Sequence, residues 1–174
     1  GTLALAQDEE QPPAALEQAY REAVARVLSR DPKGFDRLPR LLRGSPLALR
    51  NTLVLAVGDS RDPRALEFYA AALVQRPELV SVIAAQVPLV GRSPRLEVNR
   101  ELIERLRWGL DLQEHRVARP VVLALGELRD YESIPALIEA MGREEGRVRE
   151  DVLTALQEMT GIDKADNPAV WRNW

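Results

Sequence analysis

No cysteine occurs in the 174 residues, and there is a single histidine, His115. This excludes disulfides, thiolate nucleophiles and cysteine-based zinc sites. His115 stands between Glu114 and Arg116 with no second histidine to converge with it, so it reads as a structural or solvated side chain. Aromatic residues make up only 5% of the chain, and no apolar run approaches the roughly 20 residues of a membrane-spanning helix. Lysine is nearly missing: of 24 basic residues only Lys33 and Lys164 are lysine, and the rest are arginine. The net charge of −3 is mild and argues neither for a nucleic acid nor for a membrane surface as partner. A phosphate-cradling glycine loop, a zinc-protease helix and a nucleophile elbow are also absent.

What is present favours helices. The chain is 45% hydrophobic, filled mainly by alanine, leucine and valine, and 29% charged. Five cap-type residues are each followed by proline: Asp31-Pro32, Ser45-Pro46, Asp62-Pro63, Ser93-Pro94 and Asn167-Pro168. A side-chain oxygen at such a position satisfies an orphan backbone N–H, and proline leaves none to satisfy, so each pair marks a helix start. Between them apolar residues recur at three- and four-residue spacing, as in Leu16, Tyr20, Ala23 and Val27. The pattern predicts helices over 12–30, 33–43, 46–58, 63–75, 77–90, 96–110, 115–128, 131–142, 146–160 and 168–174, with Pro88 kinking or ending the fifth. No period-2 alternation competes with them.

Segments 49–73 and 117–141 superimpose at an offset of 68. Gly58 falls on Gly126, Arg61-Asp62 on Arg129-Asp130, and Leu53, Val57 and Tyr69 on Val121, Leu125 and Leu137. A less exact copy lies midway around Gly91, and 148–159 repeats half the unit with Gln157 in the glycine position. The copies therefore recur every 31 to 35 residues, from Gly58 to Gly91 to Gly126 to Gln157, and a period of this size holding two helices is the mark of stacked helical repeats. In this register Gly126 permits a close helix approach, and Asp130 is expected to cap the second helix of its pair, whose buried stripe is Ile134, Leu137, Ile138 and Met141.

The stretch from Val122 to Gly161, with "ALGELRDYESIPALIEAM" and then "VREDVLTAL", resembles bacterial HEAT repeats of the phycobilisome-lyase-like type. That resemblance implies an all-α solenoid: a right-handed superhelix of about five helix pairs, with residues 1–45 as an atypical cap. The tail "MTGIDKADNPAVWRNW" is similar to the tryptophan-rich ends of such proteins, and implies that Trp171 or Trp174 folds back over the open end of the core. The resemblance also implies that Glu144-Glu145 forms an exposed acidic turn. The other carboxylate groups, Asp8, Glu9 and Glu10 near the start and Asp163 and Asp166 near the end, lack the spacing of an acid–base pair or a calcium loop, and read as solvated charges.

The most informative residues lie off their helical stripes. On 96–110 the apolar face runs through Val98, Leu102, Ile103, Leu106 and Leu110, which leaves Trp108 almost opposite. Phe68 matches Ala136 of the later copy and also leaves its stripe. If the second helices of the pairs line a concave face, Arg64, Phe68, Glu104 and Trp108 form its binding surface; the alternative is that the aromatic residues pack between repeats. The leading reading is a non-enzymatic scaffold that binds another protein or peptide and uses no cofactor, no metal, no nucleic acid and no membrane. Two rivals are a chromophore-lyase-like accessory enzyme, which needs a tetrapyrrole pocket, and a nucleic-acid enzyme resembling HEAT-like DNA glycosylases, which needs a basic groove. Residues 1–10 read as a disordered leader before a single domain over 11–174. Ala4-Leu5-Ala6 ahead of an acidic stretch looks like the end of a signal peptide, pointing to a periplasmic or extracellular protein; the alternative is a cytoplasmic one.

Overall fold

A computed structural model describes residues 13–31, 33–112, 115–163 and 166–173. Those residues are all-helical, with no strand among them. Ten helices follow in order: α1 (Ala14–Arg30), α2 (Gly34–Gly44), α3 (Leu47–Asp59), α4 (Ala65–Gln75), α5 (Val80–Val90), α6 (Leu96–Asp111), α7 (His115–Glu127), α8 (Ile134–Arg143), α9 (Gly146–Thr160) and α10 (Pro168–Arg172). Short 3-10 turns, Pro77–Leu79 and Tyr131–Ser133, lead into α5 and α8. Pro88 does not break α5 at once; the helix ends two residues later at Val90.

The cap-proline pairs work largely as expected. Side-chain oxygens of Asp31, Asp62, Ser93 and Asn167 accept from the backbone N–H two residues on, at 2.9, 2.9, 3.1 and 2.9 Å. Ser45 is the exception. Its hydroxyl lies 2.8 Å from the Leu41 carbonyl and 3.1 Å from the Tyr20 hydroxyl, so it finishes α2 rather than starting α3.

Packing sorts the helices into two layers. Each odd helix lies against the next odd one, α1 on α3, α3 on α5, α5 on α7 and α7 on α9, while α2 packs on α4 and α4 on α6 in the other layer. Residues 14–44 supply α1 and α2, which pack on α3 and α4. The Arg95 guanidinium at the start of α6 reaches Glu67 in the first turn of α4 at 2.6 Å, so these two helices run parallel.

Every odd helix from α3 onward is followed by a residue at positive φ: Arg61 (52°), Gly91 (79°), Arg129 (53°) and Gly161 (69°). Arg61 and Arg129, matched at the offset of 68, are the two non-glycine cases. Gly91 follows the end of α5, where the predicted helix 77–90 also stops, and a Cβ placed on it would come no closer than 4.0 Å to its neighbours.

The core is continuous. Leu53, Val57, Tyr69 and their counterparts Val121, Leu125 and Leu137 are all inaccessible to solvent. Gly126 does allow α7 to approach α9: a Cβ there would sit 3.2 Å from that of Ala155. At the far end Trp171 of α10 is buried against the core and α10 packs on α8, as the tail's resemblance implied; Trp174 lies outside the described residues. A Cβ on Gly109 would meet Val121 at 2.8 Å and Val80 at 3.1 Å, whereas one on Gly44 would meet nothing within 4 Å. Gly109→Ala is therefore expected to destabilise the protein by about 1–3 kcal/mol through overpacking. Gly44→Ala should instead be neutral or stabilise by up to about 1 kcal/mol through helix propensity. Urea unfolding of the two variants checks both signs.

Tyr69 is fully buried and its hydroxyl donates to the Val54 carbonyl at 3.1 Å. Burial, with the charge of Asp59 adding to it, pushes the phenol far above its ordinary value of 10.0. A raised folded-state value means the contribution is complete below the unfolded-state pKa and is lost as pH climbs beyond it. Stability should decline above about pH 10, and Tyr69→Phe should remove part of that alkaline slope while costing a buried hydrogen bond. Thermal melts from pH 8 to 11 measure it.

Candidate functional site

The even layer opens after α6. Whereas α2, α4 and α6 pack side by side, α8 does not pack on α6 in the same way. A cleft of about 660 Å³ lies between the α6 face carrying Leu96, Ile103 and Arg107 and the α7–α8 connection, 128–132.

Both walls are fixed by buried polar contacts. On one side Asn99 is buried and locks the approach to α6: its side chain accepts from Ser93 N–H at 2.9 Å and donates to the Ser93 carbonyl at 3.0 Å. On the other, Arg107 reaches across from α6 to the α7–α8 connection. Its Nε donates to Asp130 Oδ2 at 2.7 Å and its terminal nitrogen to Asp130 Oδ1 and to Glu132 at 3.0 Å. Ser133 donates its hydroxyl to the same Asp130 carboxylate. Asp130 is 5% exposed and the Arg107 side chain 32%. The hydrogen bonds that Arg107 donates to Asp130, opposed by desolvation and joined by the attraction of both carboxylates, hold the guanidinium above its ordinary value. Asp130 thus serves a different purpose from the expected one. Its carboxylate is engaged by Arg107 and Ser133, and no side-chain oxygen caps the backbone of α8.

The four residues singled out by the sequence are only partly brought together. Trp108 is 45% exposed. With Glu104, Arg105, Leu73 and Pro77 it lines a second hollow of about 340 Å³ at the other end of α6. Phe68 is a correction: at 3% exposure it is core, tilted against Tyr69 at 5.7 Å between ring centroids. Leaving its own helix's stripe only delivered it to a neighbouring contact. Arg64 stands at the start of α4, paired with Asp62 at 2.7 Å and lying over the Phe35 ring at 4.4 Å. Since α4 and α6 are parallel, Arg64 lies at the opposite end of the pair from Trp108. Glu144, expected in an exposed turn, is buried at the end of α8, while Glu145 is exposed. Asp163 accepts from Gln157 at 2.9 Å and Asp166 pairs with Arg149 at 2.7 Å. The side chain of His115 and residues 8–10 lie outside the described residues.

Glu104 borders both hollows and joins them. Leu96, Arg100, Glu104 and Trp108 follow one another a turn apart on the exposed side of α6. The track is about 18 Å long at 1.5 Å per residue. Leu96 is 75% exposed, and across the cleft Tyr131 is 55% exposed. The sequence reading missed Leu96, Arg100, Arg129 and Tyr131. Arg100 shared the off-stripe angle of Trp108, whereas Leu96 falls beside Ile103 at the edge of the stripe, and the other two come from a loop whose position depends on the Arg107–Asp130 pair. Among the described residues no cluster of three metal-ligating side chains exists, and no helix is long and apolar enough to cross a membrane.

Arg107→Ala would strand a buried carboxylate and should destabilise the protein by about 3 kcal/mol. Arg107→Lys should recover part of that loss, because one ammonium keeps the charge but not the two-pronged geometry. Denaturant unfolding of the pair distinguishes the two contributions.

Comparison with known families, curated proteins and solved structures gives no match for this chain.

Proposed function

We propose that this chain is a HEAT-like α-solenoid, a right-handed superhelix of five helix pairs, that works as a non-enzymatic module binding another protein or peptide along α6. The layer order supports the architecture: odd helices stack on odd ones, α2 and α4 each on the next even helix, and the same positive-φ stop recurs between layers. Such stacks present extended surfaces built from successive second helices.

The observation that carries the binding reading is the exposed track Leu96–Arg100–Glu104–Trp108, which links two hollows. A half-exposed indole and an almost fully exposed leucine on one helix forgo burial worth roughly a few kcal/mol, and a partner that covers them recovers it. Aromatic and arginine side chains beside each other are the usual energetic centres of protein interfaces. The resemblance to lyase-type HEAT repeats keeps a bilin-handling role as an alternative, but the cleft's mixed charge and open form favour a peptide.

A random-peptide display library panned on the immobilised protein tests this. Peptides should be enriched whose affinity falls by about 2 kcal/mol or more in Trp108→Ala, as at an interface hot spot. The same variant should keep its unfolding midpoint nearly unchanged, because the indole is not core. No enrichment, or enrichment indifferent to Trp108, would count against the site.

A further inference from the structure

The cleft beside α6 has an uneven charge account. Arg92, Arg100, Arg107 and Arg129 line it, against Glu104, Asp130 and Glu132. Arg107 is fully engaged by Asp130 and Glu132. The nearby Glu97 pairs with Arg95 and is attracted more weakly by Arg100. Among the described residues Arg92, Arg100 and Arg129 form no side-chain ion pair. Three guanidiniums thus converge on one cleft facing a single uncommitted carboxylate, Glu104, in a chain whose net charge is −3. Each guanidinium offers a planar fork that matches a carboxylate in two-pronged geometry.

Two of the three are placed by built features. Arg92 directly precedes Ser93, which Asn99 holds at both its N–H and its carbonyl. Arg129 sits at φ 53°, where its own N–H bonds the Gly126 carbonyl and the next N–H bonds that of Leu125, both at 3.0 Å. Side-chain-bearing residues seldom adopt that conformation. Exposed Leu96 and Tyr131 flank the cations, and Trp108 closes the far end of the track.

We propose, building on the peptide-binding reading, that the occupant is an acidic peptide segment. Its carboxylates pair with Arg92, Arg100 and Arg129, and apolar side chains on either flank cover Leu96 with Tyr131 at one end and Trp108 at the other. A continuous polyanion such as single-stranded nucleic acid fits less well. Its evenly spaced phosphates would run over Glu104 and Glu132, whereas a peptide can place a neutral or basic residue there.

The test uses the full chain and three 14-residue fluorescent peptides, each with a leucine near one end and a phenylalanine near the other. The first has glutamates at four central positions, the second has glutamine there, and the third lysine. Fluorescence anisotropy at low and at physiological salt should show binding of the glutamate peptide at least tenfold tighter than the glutamine peptide, weakening as salt rises, with no binding of the lysine peptide. Arg92→Gln, Arg100→Gln and Arg129→Gln combined should bring the glutamate peptide down to the glutamine peptide's affinity. Arg129→Gly, which relieves the backbone while removing the charge, controls for folding and should weaken glutamate binding on a protein at least as stable as the parent. Equal binding of the three peptides, or tighter binding of a 12-nucleotide single strand than of the glutamate peptide, overturns the proposal. If library peptides that are neutral or basic still bind through Trp108, the acidic preference fails while the binding site stands. If no peptide of any charge binds, both fail.

Discussion

The chain has to reverse after each odd helix without turning that helix's buried stripe away from the core. From α3 to α9 it does so with one left-handed or otherwise positive-φ residue at the same structural point, Arg61, Gly91, Arg129 and Gly161. The hydrogen bonds at Arg129 show how the stop is held: the N–H groups of residues 129 and 130 fold back onto the carbonyls of Gly126 and Leu125. The turn then delivers the next helix to the other layer. From α3 onward the alternation between the two layers depends on that repeated reversal. Where the stop is an arginine, the backbone accepts about 1–2 kcal/mol of left-handed strain that glycine would avoid. Surrounding packing has to offset it.

Among the described residues the opening between α6 and α8 interrupts this regularity, and the Arg107–Asp130 contact spans it. Helices that pack directly need no such bridge. Here a charged fork substitutes for missing apolar contact and keeps the α7–α8 connection at a set distance from α6. A bridge of this kind stabilises weakly as a pair but penalises any arrangement that separates its members, since a buried carboxylate would be left without its cation. The cleft is therefore held open by the same interaction that joins its walls.

Most of the helical architecture was legible in the sequence because it is written locally. Cap residue followed by proline, apolar spacing of three and four, and a repeat offset of 68 each depend on neighbours within a few residues or on a second copy of the same pattern. Trp108 was legible for the same reason: a helix rotates 100° per residue whatever surrounds it. Phe68 and Glu144 were not, because their burial comes from other helices, and a residue's angle on its own helix says nothing about what arrives to cover it. Ser45 carried the signal of a helix start and yet closes the preceding helix, since its hydroxyl had a nearer carbonyl to serve. The left-handed turns at Arg61 and Arg129 carried no local signal, because an arginine does not mark a positive φ as a glycine does. Only their recurrence in register links them.

The cations lining the cleft are all arginine, and that choice has a chemical consequence. A guanidinium does not present its charge as a compact point but spreads it over a planar fork that pairs along an edge. Nor does it offer the primary amine that acetyl transfer or amine-reactive reagents require. Modifications that erase lysine charge elsewhere would leave this surface untouched, whereas changes to the carboxylate groups facing it, on the protein or on whatever it holds, would retune its attraction.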